Sequence, residues 1–432
     1  QVTGVQTCAL PILNAKVTAV ILAVIIVAAG AVVYLTRDDS SGDITPGKLL
    51  IYGNADGDYD IDQDDVAYLE DIIAGKKEKT DMADANCDGD INQEDIDLVK
   101  KLINKVPCTA YYYDQQNKCH ESFSYPIKNI YPVSIDSMLA TKILGLDDNV
   151  VAVSSTTSDA VLFKDIYDRN VPGLGSNPSV EKISELKVKP DAIISNTYPN
   201  NVTNEAALEA AQIKVIRLAF EAQDNLSAYL TYGFMTQATE RADKFAQFTE
   251  DVLSTIAEKT KDLTKEQRVS GMVLGYNVIY GKVQNYGTIL TNAGGIDAVD
   301  WDAYRLCSAG YDWLYEYKFD YIVGLANPAG YDYTASDSDK ANCQDIWNKH
   351  YDRYQRTDAV KAGHLFVLDN NMPCIIKTAY VAQMFYPDLF DSDFGNQIHQ
   401  KYIDLFIDNL AADNYDVSSG VFVLTSDFVK SL

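Results

Sequence analysis

Two short stretches hold the densest chemistry in the chain. Asn54–Asp65 reads NADGDYDIDQDD and Asp84–Asp95 reads DANCDGDINQED, the second starting 30 residues after the first. Each sets an acidic or amide side chain at nearly every second position. Like charges repel, so a bare peptide gains nothing from this spacing, whereas a hard cation offsets it. Calcium takes oxygen ligands from positions 1, 3, 5, 7, 9 and 12 of a twelve-residue loop. In the second stretch these are Asp84, Asn86, Asp88, Asp90 through its carbonyl, Asn92 and Asp95, with Gly89 at the sharp turn and Ile91 pointing inward. In the first they are Asn54, Asp56, Asp58, Asp60 through its carbonyl, Asp62 and Asp65, with Ile61 inward. Tyr59 holds the turn position there, and tyrosine at positive φ is strained, so the first calcium site is expected to be weaker or distorted.

Each stretch runs into an amphipathic segment. DDVAYLEDIIAG offers Val66, Leu69, Ile72 and Ile73, and EDIDLVKKLINK offers Ile96, Val99, Leu102 and Ile103. These stripes have helical spacing and can pack on one another. No comparable helix precedes either loop. A duplicated EF-hand-like loop followed by a helix, closed by Asp at the twelfth position, resembles the dockerin module over about Leu49 to Lys105. The resemblance implies a cohesin-like partner read by loop positions ten and eleven, here Gln63-Asp64 and Gln93-Glu94 in place of the familiar Ser-Thr pair. The alternative is a calcium-stapled spacer with no partner. Removing the cation is expected to unfold this segment and leave the rest intact.

Composition excludes several classes. A formal net charge of −26 argues against nucleic acid, whose phosphates need a basic face. The four histidines are scattered and no CxxC occurs, so a zinc site is not expected. VTGVQTCALPI, residues 2–12, reads like a translated sequencing adapter and includes Cys8. Val17–Leu35 is uncharged and about long enough to cross a hydrocarbon core of roughly 30 Å. It reads as a single-pass signal anchor with the remainder on the extracytoplasmic face, or as a cleaved signal peptide. The other cysteines are Cys87, Cys108, Cys119, Cys307, Cys343 and Cys374. Cys108 with Cys119 is the first disulfide to test and Cys307 with Cys343 the second.

Beyond Lys105 the texture changes. Residues 106–124 read as a connector and edge hairpin. Strand-like IKNIYPV, NVVAVSS, DAIIS and KVIRLAF then alternate with helical SIDSMLATKILGL, SVEKISELKV and NEAALEAAQ, with Ser134 as a cap. This alternation argues for βαβ units and parallel sheet. One uninterrupted helix is expected from Asn225 to about Leu263, which contains no proline. A second α/β series follows through RVSGMVLGY, DWLYEYKFDYIVGL, KAGHLFVLD and QIHQKYIDLFIDNL.

Two α/β lobes joined by a long helix resemble the class III substrate-binding proteins of ABC importers, over about Tyr125 to Leu432. The resemblance rests on ILGLDDNVVAVSS, VPGLGSNPSVEKISELKVKPDAIIS, AAQIKVIRL, TNAGGIDAV and YDWLYEYKFDYIVG, in that order. It implies two Rossmann-like lobes, an ABC permease as partner, and cobalamin, a ferric siderophore or haem as solute. It also implies an acidic residue on each lobe for permease arginines, matched by Glu181 and Asp312. Either is otherwise a helix-start acid favoured by the dipole.

Residues after strands on the cleft side are the candidate ligand contacts. They are Ser154, Ser155, Thr156, Ser176, Asn177, Thr197 and Tyr198 in the first lobe. In the second they are Tyr276, Asn277, Tyr280, Tyr304, Asn327, Asn370 and Asn371. Tyrosine faces suit a flat macrocycle and amides suit its polar rim, although any one of the 29 tyrosines can equally be packing. No nucleophile–base pair is visible and VPGLGSNPS lacks the lysine of a phosphate loop, so no catalytic residue is assigned. The expected order is therefore residues 1–12 adapter-like, 13–37 anchor, 38–48 linker and 49–105 calcium module. Residues 106–124 then form the connector, 125–224 the first lobe, 225–263 the bridging helix and 264–432 the second lobe. A surface adhesion protein on the same scaffold is the competing reading.

Overall fold

The computed structural model describes residues 47–154, 161–197, 202–221, 225–275, 279–280, 285–299, 305–306, 312–315, 317–326, 333 and 337–432. The expected anchor Val17–Leu35 and everything before residue 47 lie outside them. Among the described residues no helix is long and apolar enough to cross a membrane.

The acidic loops each lead into a helix, α1 (Gln63–Ile73) and α2 (Gln93–Ile103). Both start with a reciprocal capping box. Asp62 and Asn92 receive a first-turn amide, and Asp65 and Asp95 reach back to the amide of the cap, which satisfies donors a helix start leaves bare. Val66, Leu69, Ile96, Val99 and Leu102 are buried as their spacing predicts, while Ile73 is exposed.

The interior of this module does not close on itself. Tyr52 N donates to Tyr111 O and Tyr113 N to Leu50 O, each at 2.9 Å. Residues 50–52 thus lie as a third strand beside the hairpin β1 (Cys108–Asp114) and β2 (Cys119–Tyr125). Leu49, Ile51, Leu69 and Val99 belong to one continuous apolar cluster with Tyr112, Phe123 and Tyr125. The hairpin also overturns the expected Cys108–Cys119 disulfide. Cys108 faces Tyr125 at the open end and Cys119 faces Asp114 at the turn end. Six residues of strand separate them, about 20 Å, far beyond disulfide reach. Both are free.

In the first lobe β3 (Ile130–Pro132), α3 (Ile135–Ile143), α4 (Lys164–Asp168) and α5 (Val180–Ser184) precede β4 (Ala192–Asn196), α6 (Glu205–Ala210) and β5 (Lys214–Leu218). The sheet is parallel in the order β3-β4-β5. Among its described residues the expected strand NVVAVSS contributes only isolated parallel bridges, Ile130 to Val150 and Val153 to Gly173.

The expected single helix is two. α7 (Leu226–Met235) and α8 (Thr239–Thr260) are separated by Thr236, Gln237 and Ala238. Gln237 adopts φ +61°, Gln237 N donates to Phe234 O, and Ala238 N to Gly233 O at 2.7 Å. That is a Schellman closure built without glycine at the left-handed position. It was not legible because neither proline nor glycine occupies Thr236–Ala238. α8 is the bridging element. Gly233 permits the turn, since a Cβ there would lie 2.5 Å from Ala242 Cβ of α8, and Tyr229 packs at a tilt against Phe245 with ring centroids 4.7 Å apart.

The second lobe holds β6 (Ser270–Leu274), β7 (Ile279–Tyr280), α9 (Thr288–Asn292), β8 (Ile296–Asp297), β9 (Arg305–Leu306) and β10 (Tyr321–Ala326). α10 (Asp337–Tyr354), α11 (Asp358–Lys361), β11 (Leu365–Asp369), α12 (Cys374–Phe385), α13 (Phe394–Phe406), α14 (Asp408–Ala412), β12 (Val423–Thr425) and α15 (Ser426–Ser431) complete it. Its sheet runs β12-β11-β10-β6-β7-β9, with β8 beside β6. The central pairs β11-β10 and β10-β6 are parallel and both flanks are antiparallel. Within YDWLYEY the described residues Asp312–Tyr315 form a short 3-10 turn.

Candidate functional site

Strands β3, β4 and β5 end on the same side of a parallel sheet, and each end carries a polar group. Ser134, just past β3, caps α3 and donates from Oγ to Asn196 Oδ1 at 2.7 Å. Asn196 closes β4, is buried, and donates from Nδ2 to Asp136 Oδ2 at 2.6 Å. Burial raises the Asp136 carboxyl, while Asn196 and then Lys377 pull it back. Next to Asn196, Thr197 donates its hydroxyl to Glu221, three residues past β5.

The second lobe presents its own strand ends. Asp369 closes β11 and accepts Asn371 N at 2.8 Å, and Asn370 N donates to Ala326 O at the end of β10. Lys377, in the first turns of α12, is 3% exposed and donates to Asn370 O at 3.2 Å. Its ammonium lies 5.9 Å from the Tyr286 ring centre, and Tyr286 stacks on Tyr280 at 4.2 Å. Burial lowers the Lys377 pKa, opposed by Cys374, Asp136 and Asp369. Asp136 of one lobe and Lys377 of the other therefore sense each other's charge. A cavity at the start of α12 is lined by Asn225, Phe245, Thr249, Asn292, Cys374 and Thr378, drawing α7, α8, α9 and α12 together.

The candidates read from sequence fall unevenly on this frame. Thr197, Asn370, Asn371 and Tyr280 belong to it. Ser154 is buried at the end of its segment, and Ser176 is half-buried. Asn177 is exposed and tied to Thr203 by two hydrogen bonds, Nδ2 to Oγ1 at 2.8 Å and Oδ1 from the amide at 3.0 Å, so it fastens two loops. Ser155, Thr156, Tyr198, Tyr276, Asn277, Tyr304 and Asn327 lie outside the described residues. Glu181 is exposed in the first turn of α5, its carboxyl held low by its own backbone amide and Ser179. Asp312 starts the short 3-10 turn. Asp136, Asn196, Glu221 and Lys377 went unread. Lys377 had a signal: it is the one charge in the largely apolar CIIKTAYVAQMF.

The two acidic loops differ in backbone. In the second, Cys87 and Gly89 take φ of +57° and +100°, and Asp84 accepts Asp88 N at 3.2 Å and Gly89 N at 2.9 Å. In the first, Gly57 alone is left-handed, at +82°, and Tyr59 is not. The expected strain at Tyr59 is avoided, and its hydroxyl donates to Glu250 of the bridging helix. Burial pushes the Asp65 carboxyl up to about 7 and, with Asp58 and Asp62 adding repulsion, Asp60 up to about 6. The donors are all oxygen, which fits calcium. Among the described residues no three His, Cys, Asp or Glu side chains already converge on a metal position; the loop oxygens cap backbone amides instead.

A pair of α/β lobes bridged by one helix, with polar groups at facing strand ends, defines a class of binding proteins that trap a solute in a cleft. Residues 133–372, more than half of the chain, match the family described as periplasmic binding protein, and this chain belongs to that family. Several solved structures share its fold. The TroA-like periplasmic binding protein FepB from Veillonella parvula is 14% identical, with a TM-score of 0.53 over 73% of this chain and 99% of that one. The molybdate-binding MolA of Haemophilus influenzae is 13% identical, with a TM-score of 0.54 over 69% and 98%. Helicobacter pylori CeuE, in a nickel–histidine complex, is 16% identical, with a TM-score of 0.51 over 71% and 99%. No curated protein matches the chain.

Proposed function

We propose that this chain is the extracytoplasmic solute receptor of an ABC importer, and that its solute is a metal chelate such as a ferric siderophore, a corrinoid or haem. The observation that carries the reading is the set of polar groups at the strand ends of the two lobes, Asn196 bonded to Asp136 in the first and Lys377 bonded to Asn370 in the second. A chelate with a polar rim fits such a lining. Fold relatives crystallised with molybdate and with a nickel–histidine complex favour a metal-containing solute. Glu181, exposed on the first lobe, and Asp312 on the second suit docking to permease arginines, where separated charges chiefly orient the encounter.

The acidic loops are read as calcium sites that staple a module onto the receptor body. Three contacts support a fixed seat over a free tether: Tyr59 to Glu250, Lys48 N to Ser227 Oγ at 2.8 Å, and Leu50 N to Thr231 Oγ1 at 3.0 Å. A cohesin-like partner would have to read Gln63-Asp64 and Gln93-Glu94, which are exposed.

The test is a solute screen. Purified protein mixed with cobalamin, haem or a ferric siderophore and then desalted should keep the colour of one of them and melt higher with it. Protein that keeps none, yet adheres to cells or polysaccharide, is an adhesion protein and not a receptor.

A further inference from the structure

Strand β2 is an open sheet edge. Tyr52 N donates to Tyr111 O and Tyr113 N to Leu50 O, so Tyr111 and Tyr113 turn their backbone groups toward residues 50–52. Backbone groups alternate sides along a strand. Ala110, Tyr112 and Asp114 therefore turn theirs toward β2, where they face Phe123, Glu121 and Cys119. The amides and carbonyls of His120, Ser122 and Ser124 then point away from the sheet. Among the described residues none outside the hairpin bonds to these groups, and all three residues are exposed. Other edges are shorter or closed. β9 has two residues and β12 three, and the Arg217 amide of β5 donates to Tyr112 Oη at 3.5 Å.

Proteins guard such edges with lysine, proline, a bulge or an inward-pointing charge, because bare amides and carbonyls template another strand. Cys119–Tyr125 has no lysine and no proline, and its seven pairs with β1 run without a bulge. Its one carboxylate, Glu121, is held by Lys214 Nζ at 2.7 Å on the face that also buries Phe123 and Tyr125. These two rings belong to the main apolar cluster, so the edge is held in place by the body of the chain.

We propose that this edge pairs with β2 of a second copy of the chain, antiparallel about a two-fold axis at Ser122, and so makes the protein a dimer. The sequence selects that register. Ser122 meets the partner's Ser122, and His120 meets the partner's Ser124 on either side. Each such pair exchanges two hydrogen bonds, so every outward amide and carbonyl of both strands is used. Glu121 faces the partner's Phe123. Centring on Glu121 would set two carboxylates opposite each other, and centring on Phe123 would set His120 against the partner's Pro126, which has no N–H. A net charge of −26 opposes self-association in general. The contact strip escapes this, because His120, Ser122 and Ser124, with Tyr111 and Tyr113 beside them on the outer face, carry no carboxylate. Tyr111 meets His120 edge-on at 6.1 Å, and this aromatic face continues across the axis. An isologous contact of this kind closes at two copies. The proposal does not depend on which solute is bound.

The experiment is sedimentation of the whole chain over a wide concentration range. The weight-average mass of wild type should rise toward twice that of one copy. Ser122→Pro removes the central N–H, and Ser122→Lys brings like charges to the axis. Both positions face solvent in a single copy, so both variants should melt like wild type and sediment as monomers. With Cys119→Ser as background, Ser122→Cys places two thiols on the axis with Cα atoms about 5.5 Å apart, within disulfide reach. Mild oxidation should give a covalent dimer from Ser122→Cys and much less from Ser124→Cys. A wild type that stays monomeric throughout overturns the proposal and leaves the edge to a strand of another protein. Dimers that persist in folded Ser122→Pro and Ser122→Lys also overturn it, since they place the contact elsewhere. If both of those variants melt early, the cross-link decides: equal yields from Ser122→Cys and Ser124→Cys, or none from either, overturn the pairing.

Discussion

Arg241 in the bridging helix donates from Nε to the carbonyl oxygen of Ile143, the last residue of α3, at 2.6 Å. Its Nη2 donates to Phe406 O at 2.8 Å and Asp408 Oδ1 at 2.9 Å, where α13 ends. One guanidinium thus closes a helix C-terminus from each lobe. Cations are favoured there by the dipole and by bare carbonyls. Asn409 adds a tie from α14 to Val161 O at 2.9 Å. Lobes riveted at the hinge can close over a solute only by a small rotation. Arg241→Ala should destabilise the chain by about 3 kcal/mol, because charged hydrogen bonds are lost and carbonyls are left bare. Urea unfolding measures this. An unchanged midpoint would mean that the three bonds are not made in solution.

Gly233 and Ala242 set how closely α7 returns along α8. Gly233→Ala gains helix propensity of about 1 kcal/mol, but its Cβ would stand 2.5 Å from that of Ala242. Overpacking of this kind costs about 1–3 kcal/mol, so the steric effect wins and the melting temperature falls. The paired change Gly233→Ala with Ala242→Gly moves the methyl across the contact and should restore part of the loss. A single Gly233→Ala that melts at the wild-type temperature would show the two helices further apart than described.

The parallel strands were legible because short apolar runs between helical periods leave few other folds. The cleft was legible only as strand ends. Thr197 and Asn370 follow from that rule, but Asp136 enters through a side-chain hydrogen bond to Asn196 from a different strand, and no local pattern encodes that pairing. The break at Gln237 escaped because it is stabilised by two backbone hydrogen bonds and close packing at Gly233, not by a breaker residue. Tyr59 looked like a defect in a calcium loop. Its reason lies in Glu250, far along the chain. Contacts distant in sequence are what a single sequence conceals.

His399 is fully buried between Tyr380, whose hydroxyl is 3.2 Å from Nδ1, and Tyr333, 3.4 Å from Nε2, with Phe422 and Tyr402 against the ring. Burial pushes its pKa down to about 3 from 6.5. The folded state thus holds a neutral ring, and between these two values only the unfolded chain is protonated. Stability from this group is complete above pH 6.5 and is lost as pH falls toward 3, at about 1.4 kcal/mol per pH unit. His399→Gln should flatten that part of the profile. Urea midpoints at pH 7, 6 and 5 for both proteins isolate the effect. Parallel profiles would mean that the ring is protonated, or exposed, in the native state.

Calcium should act on the whole described body, not on a detachable module. Residues 49–105 share one apolar interior with the hairpin and α7, and Tyr59 ties the first loop to α8. A cation that binds only the folded loops adds about 2.7 kcal/mol at a hundred times its dissociation constant. Calorimetry should therefore show the main transition rising with calcium and falling with EDTA, without a separate early melt of the module. Asp95→Asn keeps a side-chain acceptor for the Asn92 amide, which Asp95 accepts at 2.8 Å, while removing the carboxylate that would clasp the ion. It should lose most of the calcium-dependent increment and little of the stability in EDTA. Equal transitions with and without calcium would leave the acidic loops as solvated caps. An early isolated transition in EDTA would instead make the module an independent unit.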